Sequence, residues 1–198
     1  MRSVKERARY HPYLAAMTAM ISSEPHGQAA PQSDDLLVWI LACSELVAFA
    51  ALLTGFVIAS WFQPEAFAAG KARLHHDIAI ANTVILLASG WFAALAPRSA
   101  SVGRQRLALL AAAAGGILFV AVKFYEYRAE GASLLAEDVF SQPYVLITGF
   151  HLAHVPFGAL VLALMARFPS PENIHLMTTL WHVIDIVWLV MFPVIYLL

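Results

Sequence analysis

The chain carries a single cysteine, Cys43, among its 198 residues. One thiol cannot close an internal disulfide, nor supply the cysteine pairs of a zinc or iron–sulfur centre. Cys43 lies in an apolar run, where its expected role is that of a small buried hydrophobe. Charge is scarce as well. Asp, Glu, Lys and Arg make up 13% of the chain, roughly half of what a soluble domain usually carries. The formal net charge is −1, and no basic stripe is sustained, which argues against a nucleic-acid partner. Apolar residues fill the gap, at 61% of the total. A soluble fold of this size has no interior large enough to hide that much apolar surface, so the expected solvent is a lipid bilayer.

Crossing a hydrocarbon core of about 30 Å takes about 20 mostly apolar residues as a helix. Five segments qualify: Leu36–Trp61, Ile78–Ala96, Leu107 to about Val122 with a helical continuation through Tyr127, Tyr144–Ala166 and Thr178–Leu198. Helices are expected rather than strands, because backbone polar groups in lipid must find their partners within the segment. The expected fold is an all-α integral membrane bundle of five transmembrane helices over residues 35–198, preceded by a tail, residues 1–34. Ser33, Asp34 and Asp35 stand where a helix start is capped. Pro64, Gly70, Pro97, Gly103, Gly131, Pro143, Pro169 and Pro171 fall in connections, while Pro156 and Pro193 fall inside spans as tolerated kinks. The run Ala111–Ala114, followed by Gly115 and Gly116, suits close helix packing.

Basic residues set the expected orientation. Arg2, Lys5, Arg7, Arg9, Arg98, Arg104, Arg106 and Arg167 flank one side, against Lys71, Arg73, Lys123 and Arg128 on the other. The N-terminus is therefore expected in the cytoplasm and the C-terminus outside. The tail pairs four basic residues with a short apolar run, Tyr13–Ile21, and with Ala29 and Ala30. A cleavable signal peptide has that form, but the run is short and contains Thr18, so an uncleaved cytoplasmic tail is the expectation.

Ionisable groups in a membrane core cost about 2.5–3.5 kcal/mol on insertion scales, so each needs a reason. The first span holds Ser44 and Glu45, and the second Asn82 and Ser89. The third ends on Lys123, Glu126 and Tyr127. The fourth holds His151 and His154, and the fifth His182 and Asp185, each pair three apart and so on one helical face. Every span thus has polar groups expected to look inward. The plainest reading is that Asn82, Glu126, His151, His154, His182 and Asp185 hydrogen-bond across helices and pin the bundle. A proton path and a zinc or iron site are the alternatives, the latter requiring three helices to converge. Lys123 and Glu126 are expected to pair near the outer interface as a structural contact. His75 and His76, in a connection, are expected to be solvated. Glu45 has no basic residue in its own span, and a carboxyl at that depth is expected to keep its proton unless a histidine partners it. Either a proton-handling role or one interhelical hydrogen bond accounts for it.

Five motifs, one per span, carry a family resemblance. Thr148-Gly149-Phe150-His151-Leu152-Ala153-His154-Val155 resembles the TGFHxxHV signature of subunit III of the haem–copper oxidases. Trp181–Leu189 is similar to that family's WHFVDVVWL segment, Ser44-Glu45 with Phe49 to its SExxxF segment, and Asn82–Gly90 to its NTxxLLxSG helix. Glu126-Tyr127 matches the end of its QxxEY motif, with Lys123 where glutamine is usual. The resemblance implies a bundle beside a haem-bearing catalytic subunit, with no haem, copper or other metal of its own and with bound phospholipid. It implies a non-catalytic subunit of a cytochrome c or quinol oxidase in a bacterial inner membrane, acting in aerobic electron transport. It also implies that Glu45 is a carbodiimide-sensitive carboxyl and that the subunit sustains proton uptake. An accessory protein of a nitric oxide reductase is the alternative within the family. A stand-alone proton or metal transporter is the alternative outside it, and the internal repeat with broken helices that would mark one is not seen.

Overall fold

A computed structural model describes residues 33–135, 138–168 and 170–198. The expected tail lies outside the described residues, except for Ser33 and Asp34 in the first turn of α1. Six α-helices follow in order: α1 Ser33–Phe62, α2 Pro64–Lys71, α3 His76–Leu95, α4 Val102–Glu130, α5 Ser141–Arg167 and α6 Pro171–Phe192. A π-helical turn, Pro193–Leu197, closes the chain, with the Leu198 amide donating to the Pro193 carbonyl at 2.9 Å. No strand occurs among the described residues. Five helices are long and apolar enough to cross a membrane, with spans Trp39–Phe62, His76–Leu95, Val102–Glu130, Ser141–Arg167 and Asn173–Leu197. The all-α, five-span expectation holds.

The helices outrun the apolar segments that announced them. α4 continues three residues past Tyr127, and α6 starts seven residues before Thr178. Local chemistry fixes these ends. Ser101 Oγ accepts the Arg104 amide at 3.4 Å at the start of α4. Gly131 takes a left-handed conformation (φ 65°) after its end, where the Gly131 and Ala132 amides donate to the Tyr127 carbonyl. Asp138 stands just before α5, and its carboxylate accepts the Ser141 amide at 2.6 Å and the Ser141 hydroxyl at 2.7 Å.

Val38–Leu198 forms one compact unit. Within it α3 packs on α4, α4 on α5, α5 on α6, and α6 back on α3, which closes a ring of four spans. Small residues let these helices approach. A Cβ on Gly115 would lie 2.7 Å from Ser89 Cβ, and one on Gly116 would lie 2.5 Å from Trp181 Cη2. α1 stands outside the ring and buries less of its span than each of the other four. It leans on α5 through Phe49, whose ring lies 5.1 Å from that of Phe150. At the end carrying α2, Phe56, Phe67 and Phe140 form an aromatic cap with centroids 5.1–6.0 Å apart.

Cys43 is exposed, contrary to expectation. The inward face of α1 is set by Ala42, Glu45 and Phe49, and Cys43 lies on the other side. Ser44 also faces outward, and its hydroxyl donates to the Leu41 carbonyl of its own helix at 2.7 Å.

Candidate functional site

The polar residues of the spans separate into three groups. The expected single network does not form: Lys123–Glu126 and His182–Asp185 each close on their own helix, while His151 and His154 face different neighbours.

The first group is at the cleft between α1, α5 and α6. Glu45 Oε2 stands 3.1 Å from His154 Nε2, at ion-pair distance but off the axis of an aligned hydrogen bond. His154 Nδ1 lies 2.7 Å from the Phe150 carbonyl. A carbonyl only accepts, so Nδ1 carries the hydrogen, and a neutral ring turns its Nε2 lone pair toward Glu45. The contact is favourable only when carboxyl and imidazole hold one proton between them. Both side chains remain about a quarter to a third exposed, 30% for Glu45 and 27% for His154. They form a polar spot on the wall of an otherwise apolar cleft of about 600 Å³, lined among others by Leu41, Phe157, Met177, Trp181 and Ile184. His154 is at the centre of α5, so the pair sits at mid-depth.

The second group is at the α2 end of the bundle. Lys123 and Glu126 pair as expected, at 3.0 Å, but both are fully buried rather than at an interface. Lys123 is about 10 Å along the helix axis from the end of α4, and the groups that enclose it come from other elements. Lys123 Nζ donates to the Tyr144 hydroxyl at 2.9 Å and to the Tyr196 hydroxyl, and the Tyr196 hydroxyl donates to Glu126. The Tyr144 hydroxyl reaches Glu130 at 2.8 Å and Glu126 at 3.3 Å. Rings of Tyr127, Tyr144, Trp188 and Tyr196 surround the ammonium, with centroids 5.0–5.5 Å away. Glu130 also accepts the His75 amide at 3.0 Å. His76, expected to be solvated in a connection, is exposed but starts α3. Its Nε2 lies 2.9 Å from the Tyr196 carbonyl, so the terminal π-turn is held on both sides. Outside the spans, Arg73 pairs with Asp138 at 3.1 Å. Slight burial alone pushes the Asp138 carboxyl up, but hydrogen bonds from Ser141 and the Arg73 guanidinium outweigh it and hold the group below its ordinary value.

The third group is on α6. His182 Nδ1 lies 3.5 Å from Asp185 Oδ2. A Cβ on Gly90 of α3 would lie 2.4 Å from that oxygen, so the glycine makes room for the carboxylate. The other expected network members stand apart. His151 is buried among Phe49, Phe119 and Trp188, with neither ring nitrogen hydrogen-bonded among the described residues. The Asn82 amide donates to the Phe119 carbonyl at 3.2 Å, and the Ser89 hydroxyl to the Ala112 carbonyl at 2.7 Å. These two tie α3 to α4. Trp188 Nε1 donates to Thr83 at 3.0 Å and ties α6 to α3. Among the described residues no three histidine, cysteine or carboxylate side chains converge as metal ligands.

Tyr144, Tyr196 and Glu130 complete the second group, and sequence reasoning missed all three. Tyr196 carried no signal, since only the π-turn decides where its hydroxyl lands. Tyr144 and Glu130 carried a weak one, as polar groups at the two ends of consecutive spans that must meet.

Comparison with known proteins agrees with the motifs. The cytochrome c oxidase subunit III family model matches residues 26–198. Cytochrome c oxidase subunit 3 of Synechocystis sp. is 27% identical over 186 residues, which cover 87% of this chain and 78% of the relative. The probable cytochrome c oxidase subunit 3 of Rickettsia felis is 32% identical over 61% of this chain and 48% of the relative. Cytochrome c oxidase subunit 3 of Danio rerio is 30% identical over 61% of this chain and 50% of the relative. The chain thus spans about half the length of the last two. These relatives are oxidase subunits, and they give no support to the nitric oxide reductase alternative.

Proposed function

Because the chain belongs to the cytochrome c oxidase subunit III family, we propose that it is the non-catalytic subunit III of a bacterial haem–copper respiratory oxidase. Oxygen reduction, haem and copper then belong to a partner in the same inner membrane. This chain supports that partner by packing, by lipid retention and by proton supply. The observation that carries the reading is the family match extending over all five spans.

Two features of the chain favour the supporting roles. The apolar cleft opens beside the loosely packed α1 and suits the acyl chain of a membrane lipid. The Glu45–His154 pair on its wall sets a carboxyl against an imidazole at mid-depth, the two kinds of group between which a proton can pass. The orientation follows from charge. With Lys123 in the bundle interior, Lys71, Arg73 and Arg128 remain at the α2 end, against Arg98, Arg104, Arg106 and Arg167 at the opposite end and four further basic residues in the sequence ahead of α1. The N-terminus is then cytoplasmic and the α2 end outside.

Gentle detergent extraction of the membrane tests the assignment. The chain should come out with a large haem-bearing membrane protein in a complex that reduces oxygen. Separated from it, the chain should show no haem absorption and should retain phospholipid. A chain that purifies without such a partner, or that binds haem tightly itself, would overturn the proposal.

A further inference from the structure

One ionisable side chain of α6 is turned partly away from the bundle. The His182 side chain is 40% exposed, within three residues of the middle of the span Asn173–Leu197. Its Nδ1 is turned to Asp185, and Nε2 is neither hydrogen-bonded nor enclosed as a buried atom among the described residues. Asp185, 6% exposed, is turned into the bundle with its carboxylate against Gly90. His175, Thr179, His182, Ile186 and Leu189 recur at intervals of four and three along the same face of α6. That spacing is the seam along which one helix packs on another. Beside it, α3 presents Leu87 and Trp91, 48% and 67% exposed.

Acyl chains offer a mid-membrane imidazole no hydrogen-bonding partner, and intramembrane histidines almost always face protein or a cavity. The cleft with Glu45 does not cover His182. It opens between α1, α5 and α6, while this face lies between α3 and α6. We propose that the α3–α6 face, centred on His182, docks a transmembrane helix of another protein that brings a hydroxyl-bearing side chain to mid-depth. A hydroxyl both donates and accepts, so it satisfies Nε2 in either tautomer of the ring. The proposal rests on the subunit reading above and adds to it the surface by which the chain is held.

Two substitutions separate docking from internal structure. The amide of asparagine replaces Nδ1 and keeps a contact with Asp185, whereas that of glutamine reaches the position of Nε2. If the outward nitrogen docks a helix, His182→Gln keeps the partner, while His182→Asn loses about threefold to tenfold in recovered complex. Photo-crosslinkers at Ile186 and Leu87, in the assembled complex in native membranes, should then form adducts with a second membrane protein. Crosslinkers at Leu118 and Leu160, exposed on α4 and α5, serve as controls. Adducts from Ile186 and Leu87 to lipid alone, or to a second copy of this chain, overturn the docking face. So does loss of the partner in His182→Gln with retention in His182→Asn. Where wild-type chain holds its haem-bearing partner and these results appear, only the docking face fails. A wild-type chain without a partner fails the subunit reading instead.

Discussion

Removing Lys123 should cost more stability than removing both Lys123 and Glu126. The ammonium is fully buried and donates to Glu126, Tyr144 and Tyr196. Lys123→Met leaves a carboxylate in the bundle without its cation, a defect that costs about 3–5 kcal/mol where buried pairs have been broken. Lys123→Met with Glu126→Leu removes both charges at similar volume, a change often neutral or stabilising. The two tyrosines are not abandoned in the double variant. The Tyr144 hydroxyl keeps Glu130 at 2.8 Å and Tyr196 at 3.1 Å. The double variant should therefore lie within about 1 kcal/mol of wild type, net of one or two lost hydrogen bonds at roughly 0.6 kcal/mol each. Unfolding by SDS titration in mixed micelles, followed by tryptophan emission, reads this directly because the Trp188 ring is 5.5 Å from the ammonium. A double variant destabilised by the sum of the single effects would refute the charge argument and leave only side-chain packing.

Three further outcomes are expected. In a Cys43→Ala background, which removes the exposed native thiol, Ala100→Cys should be labelled only from the cytoplasm and Ala72→Cys only from outside; the reverse pattern would invert the orientation. Asp138 titrates below its ordinary 3.8 in the folded chain, so its contribution is complete above pH 3.8 and is lost as pH falls through the folded value. The Tm gap between wild type and Asp138→Asn should accordingly close in acid. Both partners of its ion pair are more than a third exposed, so the gap corresponds to at most about 1 kcal/mol, and a gap that widens in acid would contradict the assignment. In the assembled oxidase, Glu45→Gln should assemble normally yet turn over more slowly, with the defect growing in alkaline buffer where bulk protons are scarce. Glutamine kinetics equal to wild type in acidic and alkaline buffer alike would leave Glu45 as a structural contact only.

The spans were legible because twenty apolar residues in lipid have one backbone solution, and the five apolar runs here are long enough to require it. Helix ends were less legible. Hydropathy marks the apolar run, whereas α6 starts earlier and takes in the polar Asn173 and His175. One pair within a helix was legible from spacing, Lys123–Glu126, whereas His182 and Asp185, expected to bond across helices, lie against each other on α6. Partners across helices were not legible. His151 and His154 share a spacing with those pairs, but one turns into a cage of aromatic rings and the other toward α1. The difference depends on the azimuth of α5 against its neighbours, which is set by fits such as Trp181 against Gly116 and Gly158. No residue of α5 encodes that azimuth by itself.

The same packing explains why the polar groups differ in what they can do. Lys123 and Glu126 lie where α4, α5 and the terminal turn close on them, so every donor of the ammonium is spent inside the chain and nothing mobile can reach it. Glu45 lies on the one span outside the four-helix ring, and its partner His154 belongs to the ring. The separation of α1 from α5 and α6 therefore sets whether carboxyl and imidazole meet. The cleft between these helices is apolar, so the acyl chain proposed to fill it would act as the spacer that fixes that distance. Lipid retention and proton handling at Glu45 then become one property rather than two, and stripping the lipid should mimic part of the Glu45→Gln defect without any change in sequence.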